Sequence, residues 1–226
     1  MKPYIISHMM MSVDGRIDCP MVAQISGEEY YAALNSFGTS SKLSGRVTAA
    51  LECSAVTAEI QGEANATLNG ESIHKATTTD EYTIVVDTHG RLKISGAEAD
   101  GHPLLVIMSE DIPEAHLETL RREGISWIAI GKGRIDLHRA VEILAETFGV
   151  EKLIIVGGGH INGGFLEAGL IDEVSIMMAP GIDGRKGETA VFDGCKWEAG
   201  APYKLRLKSV EQISDTEVIW ARYNCK

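Results

Sequence analysis

The second half of the chain alternates between short apolar runs and amphipathic stretches, and that alternation restricts the fold more than any other feature. Leu104 to Met108 reads as a strand. A helix follows, with Pro113 near its first turn, Leu117 and Leu120 on its inner face and Gly124 as its stop. Ile125 to Ile130 is the next strand. Asp136 caps a second helix whose Leu137, Val141, Leu144 and Phe148 fall on one stripe, and Gly149 ends it. Lys152 to Val156 is apolar after its lysine, as a central parallel strand is. A helix to Ala168 and a strand from Glu173 to Met178 come next. Tyr203 to Ile213 and Thr216 to Tyr223 form two long strands around Ser214-Asp215. The sum is an α/β fold, a three-layer α/β/α arrangement with a mixed sheet closed by a C-terminal antiparallel hairpin.

The first half fits the same class less regularly. Tyr4 to Val13 is a strand ended by Asp14-Gly15. Ser26 and Glu29 have capping-box spacing, which starts a helix running to about Phe37. Ser41 to Ser44 is a short strand and Arg46 to Glu52 a short helix. Residues 59 to 80, rich in Thr, Asn, Gly and Glu, read as a surface excursion. Tyr82 to Val86 is a strand ending in Asp87-Thr88-His89-Gly90. No repeat or linker interrupts the chain, and 226 residues at 44% hydrophobic content are enough for one large domain over residues 1–226.

Composition narrows the function. The net charge is −11, with no dense Lys/Arg block, which excludes the basic face of a nucleic-acid binder. No apolar run approaches the ~20 residues that span a bilayer, and the N-terminus has no signal-peptide pattern. Four scattered cysteines, without a C-x-x-C pair, argue against a structural zinc and a disulfide scaffold and for a reducing cytoplasm. No metal site is expected. A small anionic ligand remains possible, because local cations and helix N-termini hold phosphate against an unfavourable net charge. Arg16, Arg46, Arg91, Lys132 and Arg134 lie near glycines.

Gly157-Gly158-Gly159 follow the apolar strand and open a helix. Missing β-carbons let backbone approach a ligand, and open α/β sheets bind ligands at the carboxyl ends of strands. A tight turn without a ligand is the alternative. A P-loop is ruled out by His160-Ile161-Asn162 where Gly-Lys-Ser/Thr is needed, and a Rossmann fingerprint by Asn162 and by the late position of the motif.

Four segments together resemble the reductase domain of riboflavin biosynthesis, in the dihydrofolate reductase-like superfamily. Ser12-Val13-Asp14-Gly15-Arg16-Ile17 is similar to S-x-D-G-[KR]-I. Gly45-Arg46-Val47-Thr48 is similar to G-R-x-T at a helix start. Val86 to Leu92 resembles V-D-x-x-G-R-L, and Val156 to Glu173 resembles G-G-G-x-[LI]-N with a following A-G-L-[IV]-D-E. The resemblance implies NADPH as cofactor and a homodimer. It places Gly157, Gly158 and Gly159, with His160 and Ile161, at the pyrophosphate and nicotinamide, and Gly45, Arg46 and Thr48 at the phosphates. It places Asp87, Thr88 and Arg91 at the adenosine end, where Thr88 and Arg91 suit the 2′-phosphate.

The reaction implied is reduction of a ribosylaminopyrimidine phosphate to its ribitylamino form, hydride passing from C4 of NADPH to C1′ of the opened imine. Asp14, Ser12 or water would supply the proton; His8 and His160 are candidate acids by residue type but suit a structural or stacking role better. Two departures bear on the substrate. Val156 stands where flavin-pathway reductases usually carry a glutamate, and residues 53 to 75 contain neither proline nor arginine, so D-x-P-x-L-x-x-R is missing. The zinc deaminase motif that often accompanies this reductase is also missing. Reduction of another pteridine or heterocycle, or nucleotide binding without catalysis, are the competing functions.

Overall fold

The computed structural model describes residues 1–53, 56–58, 68, 70–196 and 202–225. In chain order the elements are β1 (Tyr4–Met11), α1 (Cys19–Val22), α2 (Glu29–Asn35), β2 (Ser41–Gly45), α3 (Arg46–Glu52), β3 (Val56–Ala58), β4 (Ser72–His74), β5 (Thr83–Val86), β6 (Leu92–Ile94), β7 (Glu98–Ala99), β8 (His102–Met108), α4 (Glu114–Arg122), β9 (Ser126–Ala129), α5 (Leu137–Glu146), β10 (Lys152–Gly157), α6 (Gly159–Glu167), β11 (Glu173–Met178), β12 (Arg206–Gln212) and β13 (Ile219–Asn224). They fall into two compact units, one of Met1–Pro3 with Thr39–Leu153 and one of Tyr4–Gly38 with Ile154–Lys226. No helix among the described residues is long and apolar enough to cross a membrane.

In the first unit β2, β5, β8 and β9 run parallel in that order, and β4 closes the series antiparallel to β9. β5 and β9 are buried along their whole length, which explains why such strands read as continuous apolar runs. Val85, Leu104, Val106, Leu117, Leu120, Ile125 and Trp127 share one core cluster. Asp136 caps α5 as expected, its carboxylate accepting from the Arg139 amide at 3.1 Å. Because the four strands are parallel, the segments after Gly45, Val86, Met108 and Ala129 gather at one edge of the sheet.

The second unit has the order β12-β13-β11-β1-β10, with β1 parallel to β11 and β13 antiparallel to both β11 and β12. Ile6, Met10, Leu34, Phe37, Ile154, Met177 and Trp220 form its core. The hairpin is tied down by a buried charge. Glu173, with no side-chain exposure, accepts from Arg222 Nε at 2.5 Å, Lys208 Nζ at 2.6 Å and the Tyr4 hydroxyl at 3.0 Å. Burial pushes its pKa up, but the three bonds outweigh burial and hold it below the usual carboxylate range. A bulge between Leu207 and Ser209 sits where Lys208 turns to Glu173.

The mixed α/β class and the C-terminal hairpin are as the sequence indicates. Several local expectations need correction. Ser26 is not a helix cap: its hydroxyl donates to Val22 O at 2.8 Å, α2 begins after Glu28, and the Glu29 carboxylate accepts from Gly27 N instead. The excursion over 59 to 80 contains β4; residues 59–67 and 69 lie outside the described residues. The hairpin of β7 and β8 turns through Asp100 (φ 53°) and Gly101 (φ 77°), an Asp-Gly turn with both centres left-handed. Strand pairing therefore starts at His102 rather than Leu104.

Candidate active site

The glycines at the end of β10 and in α6 meet two different structural requirements. Gly157 has φ 136°, a backbone region that side chains rarely enter. Gly159 and Gly163 leave room for the protein's own chain. A β-carbon on Gly159 would overlap Ala190 O, and one on Gly163 would overlap Asp193 O. Gly158 has extended φ and ψ (−92°, −172°), is half-buried and is joined to Gly157 by a cis peptide bond. It is the helix cap of α6. The amides of Ile161 and Asn162 close onto Gly158 O at 3.0 and 3.1 Å, which leaves the Gly159 and His160 amides ahead of the helical ladder. No acidic residue lies in the first turn.

Residues 179–196 form a strap over α6. Asn162, fully buried, is its tie: Ser7 Oγ donates to Asn162 Oδ1 at 3.1 Å, and Asn162 Nδ2 donates to Val191 O at 2.7 Å. The Asp193 amide donates to Gly159 O at 3.0 Å, and the Lys196 amide to Glu167 at 3.0 Å. His160 is exposed, and its ring packs against Gly194, whose added β-carbon would sit 3.0 Å from His160 Cδ2. Sequence reasoning weighed the run of glycines as a ligand site against a tight turn without a ligand. The strap was invisible to it because residues 179–196 carry no periodic pattern.

The Ser12–Ile17 turn is pinned to the same strap. The Asp14 carboxylate accepts from Ser12 Oγ at 2.6 Å, Gly184 N at 2.9 Å and Asp183 N at 3.0 Å. These bonds, the Ser12 hydroxyl first, hold its pKa well below the usual carboxylate range. Ser12, fully buried, donates a hydrogen bond to Asp14 and accepts one from the Arg16 amide at 3.1 Å. Arg16 bridges to Ala190 and donates from Nη1 to Glu188 O at 2.5 Å. Asp14 therefore works as an ionised anchor for the strap.

His8 is fully buried and stacks on Tyr30 with ring centroids 4.8 Å apart. Its Nδ1 lies 2.9 Å from Ser175 Oγ, which also accepts from Trp220 Nε1 at 2.7 Å. Burial lowers its pKa to about 4, so it is neutral at physiological pH and occupies a structural place.

The remaining cofactor candidates sit in the first unit. Gly45 pairs with Val86 in register, so Gly45, Arg46 and Thr48 at the start of α3 neighbour the turn after β5. That turn is tightly made. Asp87, buried, accepts from Leu92 N at 2.7 Å; the Gly90 amide donates to Asp87 O at 3.0 Å; Thr88 O accepts from the Ser109 amide at 3.0 Å and its hydroxyl at 2.7 Å. Asp87 thus shapes the turn, Thr88 is half-buried and Arg91 is exposed. Arg46 is half-buried, and the first turn of α3 has no acid. Arg46 and Arg91 are cations at strand ends of this unit, a residue type suited to phosphate oxygens. Among the described residues no cluster of His, Cys, Asp and Glu could hold a metal ion.

Solved structures share this fold. RibD from Acinetobacter baumannii matches with a TM-score of 0.70 at 18% identity, over 99% of this chain and 58% of that one. The chain therefore spans little more than half of that protein. A pyrimidine reductase-like protein from Corynebacterium diphtheriae matches with a TM-score of 0.72 at 16% identity, over 98% of this chain and 91% of that one. The fold is thus that of the RibD-type proteins. Residues 3–219 match the family described as the RibD C-terminal domain, and the chain belongs to it. A relative from Methanothermobacter thermautotrophicus, named 2,5-diamino-6-ribosylamino-4(3H)-pyrimidinone 5′-phosphate reductase, is 28% identical over 201 residues, 86% of this chain and 85% of that protein. The resemblance read from the four motifs is borne out at the level of family.

Proposed function

We propose that the chain is a single NADPH-dependent reductase domain that converts a ribosylaminopyrimidine phosphate to its ribitylamino form. The observation that carries the proposal is the match to a named pyrimidinone phosphate reductase over 86% of the chain. The geometry supports the cofactor half of the reading. Gly158 caps α6 and stands beside its two leading amides. Those amides suit a pyrophosphate, while Arg46, Arg91 and the Thr88 hydroxyl suit phosphate and 2′-phosphate oxygens.

The cofactor, when bound, supplies the hydride. The chain orients the reactants. Ser12 and Asp14 hold the turn to the strap, and a proton on Asp14 is disfavoured at neutral pH, so solvent is the proton source this arrangement favours. Opening the ribose gives a C1′ imine; one hydride and one proton then complete the amine. Val156, half-buried, packs on the apolar core of its unit, so no carboxylate reaches substrate from that position. That favours polar substrate contacts from elsewhere, and keeps another heterocyclic substrate as the second reading.

The exposed strand β12 favours a homodimer: its edge carries Leu207 (61% exposed) and Val210 (59%), and such edges need cover. The scattered cysteines, without a C-x-x-C pair, fit an enzyme of the reducing cytoplasm. The test is substrate-dependent oxidation of NADPH by the purified protein. Oxidation with the pyrimidinone phosphate supports the proposal, oxidation with a pteridine alone supports the second reading, and cofactor binding without turnover defeats both.

A further inference from the structure

The turn after β5 rests on a group the proposed site does not use. His116, on α4, is 6% exposed, and its Nε2 is buried without a hydrogen-bond partner. The ring is pressed against Gly90. A β-carbon there would lie 3.0 Å from His116 Cδ2 and 3.3 Å from Nε2, with Ile112 Cγ2 also at 3.3 Å. Gly90 itself is left-handed, with φ 60°. The turn is thus held on one side by the Asp87 carboxylate, on another by Ser109 on Thr88 O, and underneath by an imidazole in van der Waals contact.

An unpaired polar atom in that place is costly, and an apolar residue would fill the space without that cost. Burial also lowers the His116 pKa, partly opposed by Asp87, so the floor is a neutral ring. What a flat, rigid ring provides is a fixed height for Gly90, and so for Thr88 and Arg91 on either side of it.

We propose that His116 is a positioning residue for cofactor selectivity, setting the Thr88–Arg91 turn at the height at which it grips a 2′-phosphate. This rests on the proposed reading of Thr88 and Arg91. Packing beneath the turn acts on the guanidinium through backbone placement, and a charge-assisted contact is sensitive to shifts of a few tenths of an ångström. It leaves the pyrophosphate contacts at α6 unchanged. The effect is therefore specific to the cofactor that carries the 2′-phosphate.

The experiment titrates NADPH and NADH into wild type, Arg91→Ala, His116→Ala, His116→Phe and Gly90→Ala, with the unfolding midpoint of each protein measured without cofactor. His116→Ala is expected to raise the NADPH Kd by about tenfold or more while the NADH Kd stays within about twofold. His116→Phe keeps a ring under Gly90 and should stay close to wild type. Gly90→Ala pushes the turn off the ring from the other side and should lose the same selectivity, which keeps the test available if His116→Ala does not fold. If Arg91→Ala loses selectivity and His116→Ala and Gly90→Ala keep it, the positioning role is overturned and the reading of Arg91 stands. If Arg91→Ala keeps the wild-type ratio, the reading of the turn fails and the inference fails with it.

Discussion

Asn162→Ala tests the strap most sharply. Asn162 is fully buried and makes two side-chain bonds, one from Ser7 Oγ and one to Val191 O. A typical bond of this kind contributes about 0.5–1.5 kcal/mol net, and a buried partner left unsatisfied costs about 1–3 kcal/mol. Alanine removes both bonds and strands a carbonyl and a hydroxyl, so the expected loss is about 2–4 kcal/mol. Urea unfolding at fixed pH measures it, with an unchanged slope showing that the native surface is the same. Asn162→Asp keeps an acceptor for Ser7 but turns a carboxylate toward Val191 O, and should cost at least as much. Limited proteolysis should then cut within residues 179–196 faster than in wild type. A loss below about 1 kcal/mol with unchanged cleavage would refute the reasoning, because the strap would then not depend on its tie.

The remaining predictions concern other parts of the molecule. Gly158→Val should weaken NADPH binding by more than ~1.4 kcal/mol, a tenfold loss, with little change in the unfolding midpoint; normal binding would return the residue to a simple turn. Gly163→Ala forces Asp193 off α6 and should destabilise by about 1–3 kcal/mol in urea melts. Glu173→Leu leaves Arg222 and Lys208 without their buried partner; because the two cations are 24% and 39% exposed, about 2–3 kcal/mol is expected, less than for a fully buried pair. His8 has a folded pKa of about 4 against an ordinary 6.5, so the unfolded chain takes up its proton first. Its contribution is intact above pH 6.5 and lost as pH falls towards 4, by about 3 kcal/mol when complete. A pH series of urea melts should show a shallower decline in His8→Phe.

The fold was legible where local pattern and tertiary demand agree. β11 and α3 lie where periodicity and strand-end glycines placed them, and Asp136 caps α5 with the bond its chemistry implies. Ser26 misled because two helix ends lie close together: the same hydroxyl that could have capped α2 instead closes α1 onto Val22 O. β4 has a single exposed apolar residue, Ile73, and is specified by its partner β9 rather than by its own pattern. The candidate site was legible as motifs but not as causes. Nothing local marks Gly159 as a packing glycine; what requires it is Ala190 O, thirty-one residues further on. Likewise Asp14 reads as a candidate proton donor in sequence, whereas the Ser12 hydroxyl and the amides of Gly184 and Asp183 hold it in its ionised form. Asn162 and His116 act through neighbours remote in the chain and carry no local signal of their role.

The central claim, that hydride passes from NADPH to C1′ of a ribosylaminopyrimidine phosphate, is tested most directly by isotope transfer. NADPH carrying deuterium on the transferred C4 face is incubated with the purified protein and 2,5-diamino-6-ribosylamino-4(3H)-pyrimidinone 5′-phosphate, and the product is examined by mass spectrometry and proton NMR. The account predicts a ribitylamino product with one deuterium, located at C1′. A product without deuterium, or NADPH left intact in the presence of substrate, would contradict it.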